Sequence, residues 1–179
     1  MDEERFPAFA KIPRLRRRIV VTEKIDGTNA LVSIAEDGSI RAGSRTRWIT
    51  PEADNFGFAK WVQDHAAELA KLGPGRHYGE WYGSGIQRRY GLAERRFALF
   101  NVARWSAPES RPACCGCVPI VAEGVGEGVV EAALARLRAE GSLAVPGFER
   151  PEGVVVWHSA SGALYKVLLE GDDAPKGGA

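Results

Sequence analysis

Apolar and polar positions recur with clear periods along most of the chain. Ile19-Val20-Val21 is a β-branched run that leads into Thr22-Glu23-Lys24-Ile25-Asp26-Gly27-Thr28-Asn29. Residues 30–34 alternate as a half-buried strand does. Asp37-Gly38 is a two-residue hairpin signal, and residues 40–44 return as the partner strand. Phe58, Trp61, Val62, His65, Leu69 and Leu72 fall at spacings of three and four, which predicts a helix over 56–72. Gly73-Pro74-Gly75 stops it. Residues 77–81 and 97–102 read as strands, 104–118 as a loop and 129–137 as a second helix with Gly141 near its end. Residues 154–157, a turn at Ser161-Gly162 and residues 164–169 make a closing hairpin. Hairpin turns dominate over βαβ crossovers, so the expected class is α+β with antiparallel sheets. No internal repeat is present.

Composition bounds the rest. The chain has 179 residues, of which 45% are hydrophobic and 26% charged, an ordinary globular balance for one domain. Twenty-four Lys and Arg against 23 Asp and Glu leave a formal net charge of +1, which excludes a bulk polycation but not a local basic patch. Such a patch exists: Lys11, Arg14, Arg16, Arg17 and Arg18 crowd into Lys-Ile-Pro-Arg-Leu-Arg-Arg-Arg, where Pro7 and Pro13 argue against a helix. A run like this is ordinarily a solvated edge; it also suits a phosphate-facing surface. No stretch approaches the ~18 apolar residues of a membrane span. The start, Met1-Asp2-Glu3-Glu4, is acidic where a signal peptide is basic, so the expectation is a cytoplasmic protein with no membrane partner. Cys114, Cys115 and Cys117 fall short of the four spaced ligands of a structural zinc site and read as loop thiols in a reducing compartment.

Several motifs fail on inspection. Gly124-Val125-Gly126-Glu127-Gly128 precedes a helix, but Val129 stands where a dinucleotide-binding fingerprint needs its third glycine. The glycine-rich stretch 73–85 lacks the Gly-Lys-Ser/Thr ending of a phosphate-binding loop. His65 lies on an apolar helix face and reads as packing; His77 and His158 have no paired ligand at metal spacing.

The segment from Glu23 to Asn29 is different. A lysine at the end of a β-branched strand, with Asp-Gly two and three positions on, is placed at the mouth of a pocket by the turn that the glycine permits. Its deprotonated amine is a nucleophile. Alone, Lys-x-Asp-Gly is a common accident and reads as a surface lysine beside a turn. It does not stand alone. Ser44-Arg45, Tyr78-Gly79-Glu80-Trp81, Phe97-Ala98-Leu99-Phe100-Asn101-Val102, Glu152-Gly153-Val154-Val155-Val156 and Leu164-Tyr165-Lys166-Val167 follow in order.

That series resembles the covalent nucleotidyltransferase superfamily of polynucleotide ligases and mRNA capping enzymes. The wording Glu-Lys-Ile-Asp-Gly-Thr-Asn is most similar to the ATP-dependent RNA ligases of the duplex nick-sealing branch. The resemblance runs from about Glu23 to Leu169. It implies an ATP-grasp-like nucleotidyltransferase core over residues 1–170, two antiparallel sheets flanked by helices with a nucleotide in the groove between them; the Gly-, Asp- and Pro-rich composition after it reads as a flexible tail over 171–179. The resemblance implies ATP, held as covalent AMP, and Mg²⁺ or Mn²⁺ as cofactors, with RNA or DNA ends as partners.

The implied roles fall residue by residue. Lys24 attacks the α-phosphorus of ATP. Glu23 lies near the adenine edge. Asp26 and Gly27 shape the turn under the nucleotide. Asn29 and Arg45 contact phosphate or ribose and serve later steps. Glu80 holds the ribose hydroxyls, Phe100 stacks on adenine, Glu152 helps bind the metal and Lys166 contacts the α-phosphate. The chemistry suits these residue types. Cations neutralise phosphate charge in the transition state, Mg²⁺ prefers carboxylate and water oxygens, and an aromatic face suits a base. Glu80 breaks an apolar stretch and Lys166 interrupts a strand, both against ordinary placement.

Two positions depart from the family pattern. Leu168 stands where a second lysine completes Lys-x-Lys, so one phosphate contact is missing or comes from elsewhere, with the basic run near Arg16 a candidate. Asn101 stands where relatives often have Asp. About ten residues follow Leu169, which leaves no room for an accessory domain and points to a minimal ligase or to a partner protein that supplies the missing part. A DNA ligase or GTP-dependent guanylyltransferase on the same core, and a non-catalytic nucleotide- or nucleic-acid-binding module, are the alternatives.

Overall fold

The β-branched run and the lysine segment form one strand, β1 (Arg18–Lys24), and the chain then turns through Ile25, Asp26 and Gly27 into β2 (Thr28–Ile34). A computed structural model describes residues 8–126 and 128–172, so the expected tail lies almost wholly outside the described residues. The hairpin signal at Asp37-Gly38 joins β2 to β3 (Ile40–Gly43), and a second turn leads to the two-residue β4 (Trp48–Ile49). The predicted helix is broken in two, α1 (Phe58–Asp64) and α2 (Ala66–Leu69), followed by a 3₁₀ turn. The break is at His65, whose backbone leaves the helical region and whose ring stacks on Trp61 at 4.7 Å. The apolar face survives the break, because Phe58, Val62, Leu69 and Leu72 are all buried.

Next come β5 (Gly75–Gly83) and β6 (Arg95–Leu99). The strand expected over 97–102 ends early, since Asn101 caps a short α3 (Val102–Trp105) by accepting from the Arg104 N–H. The segment expected to be a loop over 104–118 contains β7 (Cys115–Cys117). Then follow β8 (Ile120–Val125), α4 (Gly128–Glu140), β9 (Gly153–His158) and β10 (Leu164–Leu168). The sequence pattern marks neither β4 nor β8 as a strand.

The strands make two sheets, a four-stranded one ordered β10-β9-β1-β8 and a six-stranded one ordered β4-β3-β2-β5-β6-β7. Every pairing is antiparallel except β6 with β7, so the α+β expectation holds with one parallel edge. Each sheet buries one face, as alternation demands. Ile19, Val21, Val154 and Val156 pack on Ala133 and Leu137 of α4. Ala30, Val32, Trp81, Phe97 and Leu99 pack on Phe58 and Val62 of α1. A third cluster of Ile25, Tyr82, Tyr90, Ala98, Val118 and Val145 joins the sheets where β1 passes into β2. The alternate residues of both sheets are left facing a groove. No helix among the described residues is long and apolar enough to cross a membrane.

Candidate active site

Register places the site. Lys24 ends β1 opposite Gly153 on β9, which in turn faces Leu168 on β10; Thr22, Val155 and Lys166 form the next row on the same face. Across the groove, Asn29 of β2 pairs with Glu80 of β5, and Glu80 pairs with Ala98 of β6. Phe100 continues the β6 edge, its N–H donating to Tyr78 O at 3.0 Å, and its ring is 40% exposed on the same face as Glu80. Arg45 lies exposed in the β3–β4 turn. That turn follows the Leu31–Gly43 pair, at the end of the sheet where β2 begins. Lys24, Lys166, Asn29, Glu80 and Phe100 therefore lie on the groove-facing sides of two sheets, and Glu152 meets Lys24 there.

Three of the charged groups have partners. Lys24 Nζ donates to Glu152 Oε2 at 2.6 Å, with the two side chains 25% and 16% exposed. The Gly27 N–H donates to Glu80 Oε1 at 3.0 Å. Glu80 is buried, and this desolvation pushes its carboxyl up to about 7, against the opposing pull of Lys24. Gly27 is required for close approach: a Cβ there would collide with Trp81 O and lie 2.8 Å from Tyr82 Cβ. Gly153 is required likewise, since a Cβ would strike the Val167 carbonyl.

The turn under Lys24 is held by residues the motifs did not reveal. Arg88 Nε donates to Asp26 Oδ2 at 3.0 Å, and Arg88 Nη1 donates to Arg150 O at 3.1 Å. One guanidinium thus ties the β1–β2 turn to the segment that carries Glu152. The Asp26 N–H donates to Tyr90 Oη at 2.7 Å, and burial pushes the Tyr90 hydroxyl well up. Gln87, Arg89 and Tyr90 have φ of 42°, 59° and 52°. Left-handed backbone at three non-glycine residues is costly, and strain of this kind gathers at functional sites. No local pattern marks this turn, because its residues are ordinary ones in an unusual conformation.

Two expectations need correction. The Glu23 side chain, expected near an adenine edge, does not line the groove face that carries Lys24. It points to the opposite face of β1 from Lys24, almost fully buried, and accepts from Ser142 Oγ at 2.6 Å, Leu143 N–H at 2.7 Å and Ala144 N–H at 2.8 Å. Burial raises its pKa while those three donors oppose the rise. Only its backbone borders the groove. Nor does the basic run near Arg16 replace the lysine absent at Leu168. It lies beyond the far end of β1, about 20 Å from Lys24 at the usual rise per residue.

The other candidates are structural. His77 bonds Gly73 O and His158 bonds Leu15 O through their Nε2 atoms. Cys114, Cys115 and Cys117 are free thiols whose pKa values burial raises. Two other cavities, of about 550 and 400 Å³, lie behind the sheets and do not touch Lys24. Among the described residues no three His, Cys, Asp or Glu side chains cluster to enclose a metal. The groove's donors are nonetheless the hard carboxylate oxygens that Mg²⁺ and Mn²⁺ take, and such ions commonly use one or two carboxylates, completed by water and substrate phosphate.

The two sheets, the lysine at the end of β1 and the groove between define a nucleotidyltransferase-type core. The model of the RNA ligase family matches residues 17–168, and the chain belongs to that family. Among solved structures it is similar to a Naegleria gruberi RNA ligase mutant with ATP and Mn, with a TM-score of 0.65, 20% identity and coverage of 91% of this chain and 53% of that one. A second mutant of the same ligase with ATP and Mn gives 0.65, 22%, 87% and 51%. The ligase with PPi gives 0.61, 23%, 87% and 50%. At these identities the likeness is one of fold, and the chain spans about half the length of those ligases. No curated protein matches.

Proposed function

We propose that the chain is the catalytic core of an ATP-dependent RNA ligase that joins 5′-phosphate and 3′-hydroxyl ends through a lysyl-AMP intermediate. The observation that carries this reading is the meeting of Lys24, Glu152, Glu80 and Phe100 in one groove. Lys24 Nζ, as the free amine, attacks the α-phosphorus of ATP; a P–N bond forms, the bond to pyrophosphate breaks and the amine gives up a proton. Only an amine without its extra proton has the lone pair for this step, and Glu152 at 2.6 Å is positioned to accept that proton or to orient the amine. AMP then passes to a 5′-phosphate, and a 3′-hydroxyl displaces it to form the phosphodiester.

Each wall of the groove has a task. Glu80, beside Asn29, accepts hydrogen bonds from ribose hydroxyls. Phe100 offers a face to adenine. Lys166 and Arg45 carry positive charge toward phosphate oxygens, and Lys166 contacts the α-phosphate. Asp26, Gly27 and the backbone of Glu23 form the floor under the nucleotide. Glu152 would hold Mg²⁺ or Mn²⁺ when Lys24 releases it, and such an ion neutralises phosphate charge. Arg14, Arg16, Arg17 and Arg18 would follow a nucleic-acid backbone, which makes activity salt-sensitive. An accessory part contributed by a partner protein, cytoplasmic action in a reducing compartment and a role in RNA repair belong to the same proposal.

Incubation with α-labelled ATP and a divalent ion, followed by a denaturing gel, tests it. The expected result is label on the protein, absent from Lys24→Ala and not replaced by label from GTP. Label that survives Lys24→Ala removes the nucleophile. Nicked duplexes with RNA or DNA termini then resolve the substrate, and sealing confined to DNA rejects the RNA assignment.

A further inference from the structure

The groove face of the four-stranded sheet continues well past Lys24. Along that face the rows run from Lys24 to Thr22 with Lys166, then to Val20 with Trp157 and Leu164, then to Arg18 with Val125. Rows two residues apart are about 6–7 Å apart, so Trp157 lies about 13 Å along the face from Lys24. Trp157 is 38% exposed, whereas the alternate residues of its strand, Val154, Val156 and His158, are buried under the opposite face. An indole exposed in the middle of a sheet keeps apolar area in water that packing would otherwise remove. Leu164, its partner on β10, is also exposed.

Cations bracket the indole. Lys166 is one row nearer the nucleophile and makes no ion pair among the described residues. Arg18 is one row farther and pairs with Glu123 at 2.7 Å, but with side chains 63% and 52% exposed. A bridge so solvated contributes little and yields readily to a phosphate. Cation, aromatic and cation along one open face is the arrangement by which single strands are held, with the backbone on charge and a base on a ring.

Geometry narrows the occupant. A strand end that is to react at Lys24 must reach it along a surface continuous with the groove. The six-stranded sheet supplies the nucleoside wall through Glu80 and Phe100, which leaves the four-stranded sheet as the path. We infer that this face seats the polynucleotide end to be joined, with Trp157 stacking on a base and Lys166 and Arg18 flanking it against backbone phosphates. The inference rests on the ligase reading above and adds to it the surface that takes the second substrate.

Anisotropy titrations of the full chain with a 5′-phosphorylated, dye-labelled RNA oligonucleotide at several salt concentrations test it. Stacking on an aromatic ring is worth about 1–3 kcal/mol, so Trp157→Ala is expected to weaken binding about tenfold, with Trp157→Phe recovering most of the loss. Arg18→Gln is expected to lower the magnitude of the salt slope by about 0.7–0.9. Melting curves confirm that each variant is folded, and Arg18→Gln provides a reading independent of the indole. Unchanged affinity in Trp157→Ala overturns the inference. So does a loss that Trp157→Phe fails to recover. A change in oligomeric state with no change in RNA affinity also overturns it, and assigns the face to a protein contact. Oligonucleotide binding needs no ATP, so failure of Lys24 labelling sinks the ligase reading separately.

Discussion

On the four-stranded sheet, Glu23 is buried with three donors at 2.6, 2.7 and 2.8 Å. On the six-stranded sheet, Glu80 is buried with one, the Gly27 N–H at 3.0 Å. Desolvation raises both carboxyls, Glu80 to about 7; at Glu23 three hydrogen-bond donors oppose the rise. The difference separates a carboxylate that builds the fold from one left available to a ligand. Glu23 organises the loop after α4 and turns its back on the groove. Glu80 has a single donor, and its anion is costly in the absence of further donors or a cation.

Glu23→Ala sharpens the comparison most. It strands Ser142 Oγ and two backbone N–H groups in the interior, and an expected loss of about 3–5 kcal/mol should appear in urea unfolding. Arg88→Ala should slow lysine labelling about 100-fold through kcat, with little change in KM for ATP, because it loosens Asp26 and the Glu152 segment rather than a nucleotide contact. Partial recovery of kcat by Arg88→Lys supports a positioning role; a pure fall in melting temperature with kcat intact breaks it.

Glu80 makes a prediction in pH. Its folded pKa of about 7 exceeds the usual 4.5, so the folded state binds the proton more tightly. The stability it contributes is present below the lower value and is lost as pH rises through the upper one. From pH 5 to pH 8 this group should cost about 2 kcal/mol, and Glu80→Gln should flatten that part of the profile. Equal pH profiles in the two proteins contradict the assignment. Phe100→Ala should raise KM for ATP about tenfold, the smallest of these effects, while Phe100→Tyr stays near wild type.

Much of this was legible in the sequence for a physical reason. β1, the hairpin at Asp37-Gly38 and the closing β9–β10 hairpin depend on alternation and turn chemistry that are local, and the motif residues sit at fixed places on those strands. Residues joined by distant pairing were not legible. Ser142 meets Glu23 across 119 positions and Arg88 meets Asp26 across 62, and neither pair has a local signature. The side of β1 that faced the groove decided the fate of Glu23, and that side is set by packing on α4. The thiol-rich segment reads as a loop because β7 within it is only three residues long and has Gly116 at its centre.

The central claim is that the Lys24 amine bonds to AMP. Peptide mapping by mass spectrometry after incubation with ATP and Mg²⁺ tests it most directly. The account predicts one AMP on the peptide that contains Lys24, stable to alkali and released by acid as a P–N bond is. Adenylylation at Lys166 or any other lysine, with Lys24 unmodified, would contradict it.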